Sequence, residues 1–393
     1  MDVDVMRIGF LQESLILRGG ISMSDLRRTV SCYENEIPSF VEHELDRLYG
    51  ERYSSLAHFH IYGTAERAST YVVRVGGEIT TVLLYRRANQ TVHVLNEGAA
   101  IDGRQAQEFA DHVFAADAAA AAIVFEAVQT QTDDIRFPYQ HFPCAEDTVL
   151  TLPDSVAGYT DSLGKSTRDN LKRYLSRVRR DFPSFHYATY DRQEANEQHI
   201  REIVRLNYGR MTTKNKIPSI DKVEEARIIE TVRACGFVGI ATVNGRFGAG
   251  FVTYRHGDSF SLRILAHDPA FDDYRLGLAC CYLTICECIK QAGSKKINFG
   301  WGEYAYKYRL GGVRRQLSRL VIYRSRLGML SCAPLAAKTV VRGHVYRAKQ
   351  GMQAIAQQED HVLARPIGKM VGVIRWLKAA RARQGAGRSA PAP

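Results

Sequence analysis

The amino-acid sequence predicts an α/β protein in which two similar halves each contain a mixed sheet with helices on its faces. The first observation is a hairpin pattern, in which apolar runs are separated by tight turns at Gly76-Gly77 and Asn244-Gly245. The second is that each hairpin is followed by a further strand, a helical pattern and one more apolar strand. Because a helix that joins two strands of one sheet makes a parallel crossover, each sheet should contain both strand directions.

The predicted elements follow the same order in both halves. In the first half we expect strands and a helix at 69–75, 78–87, 91–95, 104–117 (helix) and 122–128. In the second half the corresponding elements are 236–243, 246–255, 258–266, 276–291 (helix) and 295–299. The correspondence is one of pattern rather than of residue identity, and it indicates an internal duplication.

Length and charge divide the chain. Since 393 residues exceed the usual size of one domain, we expect domains at 1–150 and 151–324, a basic helical extension at 325–383 and a disordered tail at 384–393. Residues 1–150 carry 12 lysines and arginines against 22 acidic residues, which leaves 41 against 20 for the rest. The second half should therefore meet an anionic partner, but charge alone does not choose among nucleic acid, an anionic membrane surface and coenzyme A.

Several patterns indicate a cytoplasmic protein. The N-terminus is acidic without a basic and apolar leader, and no apolar run is long enough to span a bilayer. The eight cysteines lack CxxC pairs, which favours reduced thiols. His58 and His60 alternate as on a strand, but without a third ligand nearby we predict no metal site. The amphipathic stretch 370–383 could contact a membrane peripherally or pack on the second half.

A basic helix is predicted within 162–182. Apolar residues such as Leu171 and Val178 recur at helical spacing, and cations occupy the remaining surface. Arg168, Lys172 and Arg173 are candidates to line a cleft that receives an anionic donor. The alternative is a solvated basic face, and the sequence does not decide between the two.

The stretch 299–311 brings glycines, a carboxylate, tyrosines and cations together after a predicted strand. It resembles the F-G-x-G-(D/E)-x-x-Y-K-x-x-(F/L)-G signature of the CelD-type branch of the GNAT acyltransferase superfamily, which is related to FemAB-like tandem GNAT proteins. Segments 166–173 and 267–271 resemble two further motifs of that branch. The resemblance implies two tandem GNAT-like domains, an acyl-CoA donor such as acetyl-CoA, and an amine acceptor. It also suggests a polysaccharide or cell-envelope precursor as the acceptor.

The resemblance implies that the donor is held after the strand that ends near Ala266, where main-chain amides at a helix start can bind pyrophosphate. The implied donor-binding residues are Ile264, Leu265, Ala266, Tyr274, Arg275, Leu276, Gly277, Leu278 and Ala279. Tyr274 stands where the superfamily has Gln or Arg, and Arg275 could supply the cation instead. The corresponding segment of the first half, 96–103, is acidic, so we expect only the second half to bind donor.

Acyl transfer to an amine needs a base that takes a proton from the nucleophile, a hydrogen-bond donor that stabilises the oxyanion, and a proton for the departing thiolate. Glu303 could act as the base, or could instead be tied to Lys307. Tyr306, or alternatively Tyr304, could protonate the sulfur, and Tyr306 is preferred because it matches the signature. Lys307 could orient the acceptor or a donor phosphate, and a main-chain amide near 264–266 would meet the oxyanion.

The sequence thus predicts an acyl-CoA-dependent N-acyltransferase. Two alternatives remain open. One is a non-catalytic protein whose basic half binds nucleic acid or an anionic membrane. The other is a FemAB-like transferase that uses aminoacyl-tRNA as its donor, the one case in which nucleic acid would be a partner of the enzyme.

Overall fold

The computed structural model describes residues 27–213, 218, 220–302 and 304–357. These residues form two compact units, the first made of 27–145, 256–258 and 316–340, the second of 146–255, 259–315 and 341–357. Each unit has helices packed on a sheet of mixed direction, as the sequence predicts. No helix of the described part is long and apolar enough to cross a bilayer.

The first unit is built on a mixed sheet. Its strands are β1 (Arg28–Tyr33), β2 (Ser69–Val75), β3 (Glu78–Ala88), β4 (Thr91–Val94), β5 (Ala122–Val128) and the C-terminal part of β12 (Val313–Tyr323). Its helices include α1 (Val41–Leu48), α2 (Leu56–Ile61) and α3 (Gly103–Ala116). The strands β1 to β4 pair antiparallel in order, β4 runs parallel to β5, and β12 pairs antiparallel with β5.

The second unit has its own mixed sheet. Its strands are the C-terminal part of β6 (Tyr139–Thr151), β7 (His186–Asp191), β8 (Gly236–Val243), β9 (Arg246–His256), β10 (Ser259–His267) and β11 (Lys296–Trp301). Its helices are α4 (Val156–Ser162), α5 (Lys165–Asp181), α6 (Glu197–Thr213), α7 (Lys222–Cys235), α8 (Leu276–Lys290) and α9 (Ala305–Arg309). The strand order is β7-β8-β9-β10-β11-β6, with β10 parallel to β11 and β6 antiparallel to β11.

The two units share one arrangement of elements. In each, antiparallel strands lead to a parallel pair joined by a helix, which is α3 between β4 and β5 and α8 between β10 and β11. Both helices are held by burial: Phe109 of α3 lies 5.0 Å from the ring of Tyr71, and Cys280 and Ile285 of α8 are fully buried. The repeated order agrees with the duplication that the sequence pattern indicates.

The described part of the basic C-terminal region is helical. It contains α10 (Arg326–Ser331) and α11 (Ala333–Gln357). In the second unit, Gln350 of α11 donates from its side-chain amide to the carboxylate of Glu146, at 3.0 Å. The stretch 370–383 and the expected tail at 384–393 lie outside the described residues.

Candidate active site

The parallel strands β10 and β11 separate toward their C-terminal ends. Their pairing joins 259–261 to 296–298, and within the described residues it extends no further, although β10 continues to His267 and β11 to Trp301. Beyond the paired segment, β11 therefore leaves one edge of β10 uncovered. The predicted oxyanion-binding residues Ile264, Leu265 and Ala266 lie on this segment.

Helix α8 begins immediately beside the end of β10. Its N-cap, Arg275, has a left-handed backbone (φ 50°) and makes no side-chain cap, and the first turn contains no acidic residue. Gly277 lies against the imidazole of His267, since a Cβ at this position would be only 2.7 Å from Nδ1. Because the first amides of a helix lack partners within the helix, this start offers N–H donors at the positive end of the helix dipole.

His267 is fixed by a carboxylate. Its Nε2 lies 2.7 Å from Oδ1 of Asp272, a residue of the 3₁₀ turn Pro269–Tyr274. The partner is thus Asp272 and not the adjacent Asp268, which instead caps the turn by accepting the amide of Ala270. The packing of His267 explains why position 277 has no side chain.

Tyr274 connects the 3₁₀ turn to the end of α5. Its hydroxyl donates to Asp181 at 3.2 Å, its ring centroid lies 5.2 Å from that of Phe182, and the guanidinium of Arg177 lies 4.7 Å from the ring centroid. Arg177 also donates weakly to the carbonyl of Asp273, at 3.4 Å. Of the predicted donor-binding residues after the turn, Leu276 and Ala279 are buried and Leu278 packs on the core.

The structure places the cations of α5 in different roles. Arg168 donates to the carbonyls of Asp161 and Leu163, at 2.7 and 2.9 Å, and so holds the end of α4. Lys172 and Arg173 are exposed, and Arg173 bonds to the side chain of Asn170 within its own helix. The α5 arginine that reaches the turn before α8 is Arg177, which is not among the candidates predicted from the sequence. Its spacing of four residues from Arg173 is a helical signal that could have identified it.

Lys307 holds the loop that follows β11. Its side chain is 1% exposed, and Nζ donates to the carbonyls of Gly300, Trp301 and Gly302, at 2.6, 3.2 and 2.8 Å. Both glycines have positive φ, 72° and 91°, a backbone conformation that disfavours other residues. An ammonium has three protons, so these three hydrogen bonds leave no proton to bind the acceptor substrate or a phosphate of the acyl donor. The predicted orienting cation is therefore a support for the loop.

A buried ion pair supports the same loop from β6. Two nitrogens of Arg315 donate to the carboxylate of Asp147, at 3.0 and 2.6 Å, and the side-chain amide of Asn298 donates to it at 2.8 Å. Asn298 in turn accepts the amide of Gly300, at 2.7 Å. None of these three side chains is among the candidates predicted from the sequence. The chain separates Asp147 from Asn298 by 151 positions, so only the pairing of β6 with β11 brings them together.

Three aromatic side chains near the loop are partly open to solvent. The exposed fractions are 49% for Trp301, 44% for Tyr304 and 39% for Tyr308. Tyr306 is more enclosed and packs on the core of the unit. Burial raises the pKa of Tyr306, as does the nearby Cys281, while the positive charge of Arg210 opposes the shift. Glu303 lies outside the described residues.

The first unit has a different helix start at the corresponding place. Helix α3 is closed by a capping box, in which Asp102 accepts the amide of Gln105 and the Gln105 side chain accepts the amide of Asp102. A Cβ at Gly103 would be 2.8 Å from the carbonyl of Gln131. Here an internal carboxylate takes the place that an anionic ligand would occupy.

The predicted strand at His58 and His60 is a helix in the structure. His58 and His60 lie on helix α2 and not on a strand, because Ser55 caps a helix there. Within the described ranges, no group of three or more His, Cys, Asp and Glu side chains is arranged to hold a metal ion.

One segment of the chain is similar to a known family of domains. Residues 165–308 match the family model described as an acetyltransferase (GNAT) domain. The matched range runs from the first residue of α5 through α8 to the residue after Lys307, so it includes the start of α8 and Lys307 but neither Asp147 nor Arg315. A search of curated proteins found no match.

Solved structures show similarity over most of the chain. The crystal structure of FemX superposes with a TM-score of 0.58 and 10% identity, covering 78% of this chain and 99% of FemX. A conserved protein of unknown function from Bacteroides thetaiotaomicron VPI-5482 superposes with a TM-score of 0.49 and 12% identity. The alignment covers 73% of this chain and 98% of that protein. L-PGS from Bacillus licheniformis superposes with a TM-score of 0.46 and 14% identity, covering 79% of this chain and 98% of L-PGS. The similarity to FemX shows a shared fold.

Proposed function

We propose that the second unit transfers an acyl group from acyl-CoA to an amine. The observation that carries this proposal is the contrast between the starts of α8 and α3. Asp102 and Gln105 close the start of α3, whereas α8 begins at Arg275 without a side-chain cap. An anionic pyrophosphate would be repelled by Asp102 but attracted by the open amides and positive charge at the start of α8.

The arrangement supports a direct transfer. The amine nitrogen would attack the thioester carbonyl carbon, and a main-chain amide on the uncovered edge of β10, within 264–266, would donate to the oxyanion that forms. When the C–S bond breaks, Tyr306 would give its proton to the thiolate sulfur. The raised pKa of Tyr306 keeps that proton in place at neutral pH. Glu303, directly or through water, would take the proton that the amine loses.

Finer features of the proposal rest on the signature residues of 299–311. They favour the CelD-type branch, with the catalytic domain at 151–324. They also favour an acceptor amine on a polysaccharide or envelope precursor. The cysteines without CxxC pairs favour a cytoplasmic enzyme. Transfer to amino sugars, compared with transfer to free amino acids and to peptide amines, would test the choice of acceptor.

The excess of positive charge in residues 151–393 favours a second candidate donor, aminoacyl-tRNA. The fold shared with FemX is compatible with this donor but does not argue for it, because the identity is 10%. A requirement for charged tRNA in the transfer assay would select this candidate. Binding of DNA, RNA or anionic vesicles without any transfer would instead select a non-catalytic role.

Isothermal titration with acetyl-CoA and longer acyl-CoAs tests the proposal. We expect wild-type protein to bind at least one of them, and Arg275→Glu to weaken binding about tenfold or more, because a negative charge replaces a positive one at the helix start. Arg179→Glu reverses an exposed charge on α5 and should leave binding unchanged. Release of thiol on addition of an amine would then demonstrate turnover. The absence of binding across the whole series would contradict the proposal.

A further inference from the structure

Helix α6 carries three arginines in its middle and last turns, and one of them differs from the others. Arg201 is exposed and pairs with Glu197 and Glu225, and Arg205 is exposed and pairs with Glu202. Arg210 is half-buried. Within the described part of the chain no carboxylate pairs with Arg210, and its buried Nε has no hydrogen-bond acceptor.

The helical phase directs Arg210 toward the sheet of the second unit. It follows Leu206 by four residues and Ile203 by seven, so the three share a face of α6. Ile203 and Leu206 are buried in the core that also contains Ile264 and Ala266 of β10. Ile203 lies so close to β9 that a Cβ on Gly250 would be 2.4 Å from it. Arg210 thus extends this buried face by one further turn.

Arg210 lies within electrostatic reach of Tyr306, whose pKa its charge lowers against the larger effect of burial. Coulomb interactions between groups of a protein are strong only at short range or under burial. The guanidinium therefore lies near enough to the proposed proton donor for their charges to interact. A partly buried cation without a counter-charge is less well solvated than an exposed one, so a ligand that supplies negative charge would be favoured there.

We infer that Arg210 binds an oxyanion of the acceptor, a carboxylate or a phosphate, and thereby selects amines that carry such a group. The inference rests on the proposed function, since it names the class of acceptor for the same site. A guanidinium matches both groups, because its planar N–H fork donates two parallel hydrogen bonds to carboxylate or phosphate oxygens. The acceptor would approach with its oxyanion at α6 and its amine near Tyr306.

The first measurement uses inorganic phosphate as the probe on protein saturated with coenzyme A, so that the donor site is already filled. We expect phosphate at ten times its dissociation constant to raise the melting temperature of wild-type protein by about 2 °C or more. Arg210→Ala should lose this shift, and Arg210→Lys should keep part of it. Arg205→Ala, which removes an exposed and paired arginine of the same helix, should behave as wild type. Equal shifts in wild type and Arg210→Ala would overturn the inference.

The second measurement compares matched acceptors with acetyl-CoA as donor. The pairs are glucosamine 6-phosphate against glucosamine, and β-alanine against β-alaninamide, so the two arms separate a phosphate from a carboxylate. In wild type we expect kcat/KM to favour the anionic member of one pair by about tenfold or more, and Arg210→Ala to bring that ratio close to one. A variant that slows both members equally would show that Arg210 acts on Tyr306 or on the fold, which overturns the inference.

The two proposals fail in distinguishable ways. If no acyl-CoA binds, the proposed function fails, and the phosphate shift is then measured without coenzyme A. A shift that depends on Arg210 would still support an oxyanion site at α6. If acyl-CoA binds and turnover occurs without any preference for anionic acceptors, the proposed function stands and the inference about Arg210 fails.

Discussion

The ammonium of Lys307 lies 2.6 Å from the carbonyl oxygen of Gly300, and the same nitrogen reaches the carbonyls of the next two residues. One buried side chain thus fixes three consecutive peptide groups of the loop that presents Trp301. Carbonyls that converge on one cation repel one another when the cation is removed. The conformation of the loop should therefore depend on Lys307.

Replacement of Lys307 by methionine keeps much of the side-chain volume and removes all three donors. Because hydrogen bonds to charged groups are worth about 1.5–3 kcal/mol and water can reach part of the loop, we expect the free energy of unfolding to fall by about 2 kcal/mol. Turnover should fall by about 100-fold, since the loop leads to Tyr306. Lys290→Met is the control, because Lys290 pairs with Glu287 at the surface and should change stability by less than about 0.5 kcal/mol. Equal effects of the two variants in urea unfolding would refute the role of Lys307.

The loop should also respond to pH. Burial lowers the pKa of Lys307 from 10.5 to about 8, while Asp147 and Cys281 oppose the shift. Loss of the proton removes one donor and the charge, so the surroundings of Trp301 should change. Trp376 is the other tryptophan of the chain, and Trp376→Phe therefore isolates the signal of Trp301. We expect the fluorescence of that variant to titrate with a midpoint near pH 8, and we expect Lys307→Met in the same background to abolish the transition.

The stability effect of this titration has a definite sign. Between pH 8 and 10.5 the unfolded chain binds a proton on Lys307 that the folded protein does not, so raising the pH across this interval favours the folded state through this group. Below pH 8 the buried charge costs stability. The stability of wild type relative to Lys307→Met should therefore increase from pH 7.5 to pH 9.5. A decrease would show that the charged lysine is favoured by its surroundings.

Asp147 supports the loop through Asn298, and replacement of Asp147 should lower the free energy of unfolding. Asp147→Asn keeps the shape but removes the negative charge that pairs with Arg315, and breaking a buried ion pair costs about 3–5 kcal/mol. Glu146→Gln is a matched control on the neighbouring position, since Glu146 pairs with the half-exposed Arg314 and should cost less than about 1 kcal/mol. Urea unfolding of both variants measures the difference. A loss for Asp147→Asn no larger than for Glu146→Gln would mean that the pair contributes little.

Sequence patterns predict the elements because apolar periodicity is a local property. The five predicted elements of each half occur with ends that shift by a few residues, and the start of α8 at Leu276 is where the sequence indicates it. The support of the loop is not local. Asp147 and Asn298 meet only after β6 pairs with β11, and no spacing in the chain reports that contact. Arg210 could not be predicted for another reason. The two other arginines of α6 carry the same charge, and only its partial burial distinguishes Arg210 from them.

Gly277 should be essential for donor binding through its contact with His267. Gly277→Ala places a methyl group 2.7 Å from Nδ1 of a ring that is held by Asp272, so the first turn of α8 must move. We expect the affinity for acetyl-CoA in titration calorimetry to fall by about tenfold or more, because the open amides no longer converge on one anion. Gly351→Ala on α11 meets nothing within 4 Å and should bind as wild type. Unchanged affinity in Gly277→Ala would place the donor elsewhere.

Tyr306→Phe separates the two tyrosines that could protonate the departing thiolate. The substitution removes only the hydroxyl of a side chain that packs on the core, so we expect turnover to fall by about 100-fold or more while donor affinity is retained. The pKa of Tyr306 is raised above its usual value of 10, so loss of its proton cannot cause a decline of the wild-type rate between pH 7 and 9. Tyr304 is 44% exposed, and Tyr304→Phe should reduce turnover by less than about threefold. The reverse ranking of the two variants in the thiol-release assay would assign the proton to Tyr304.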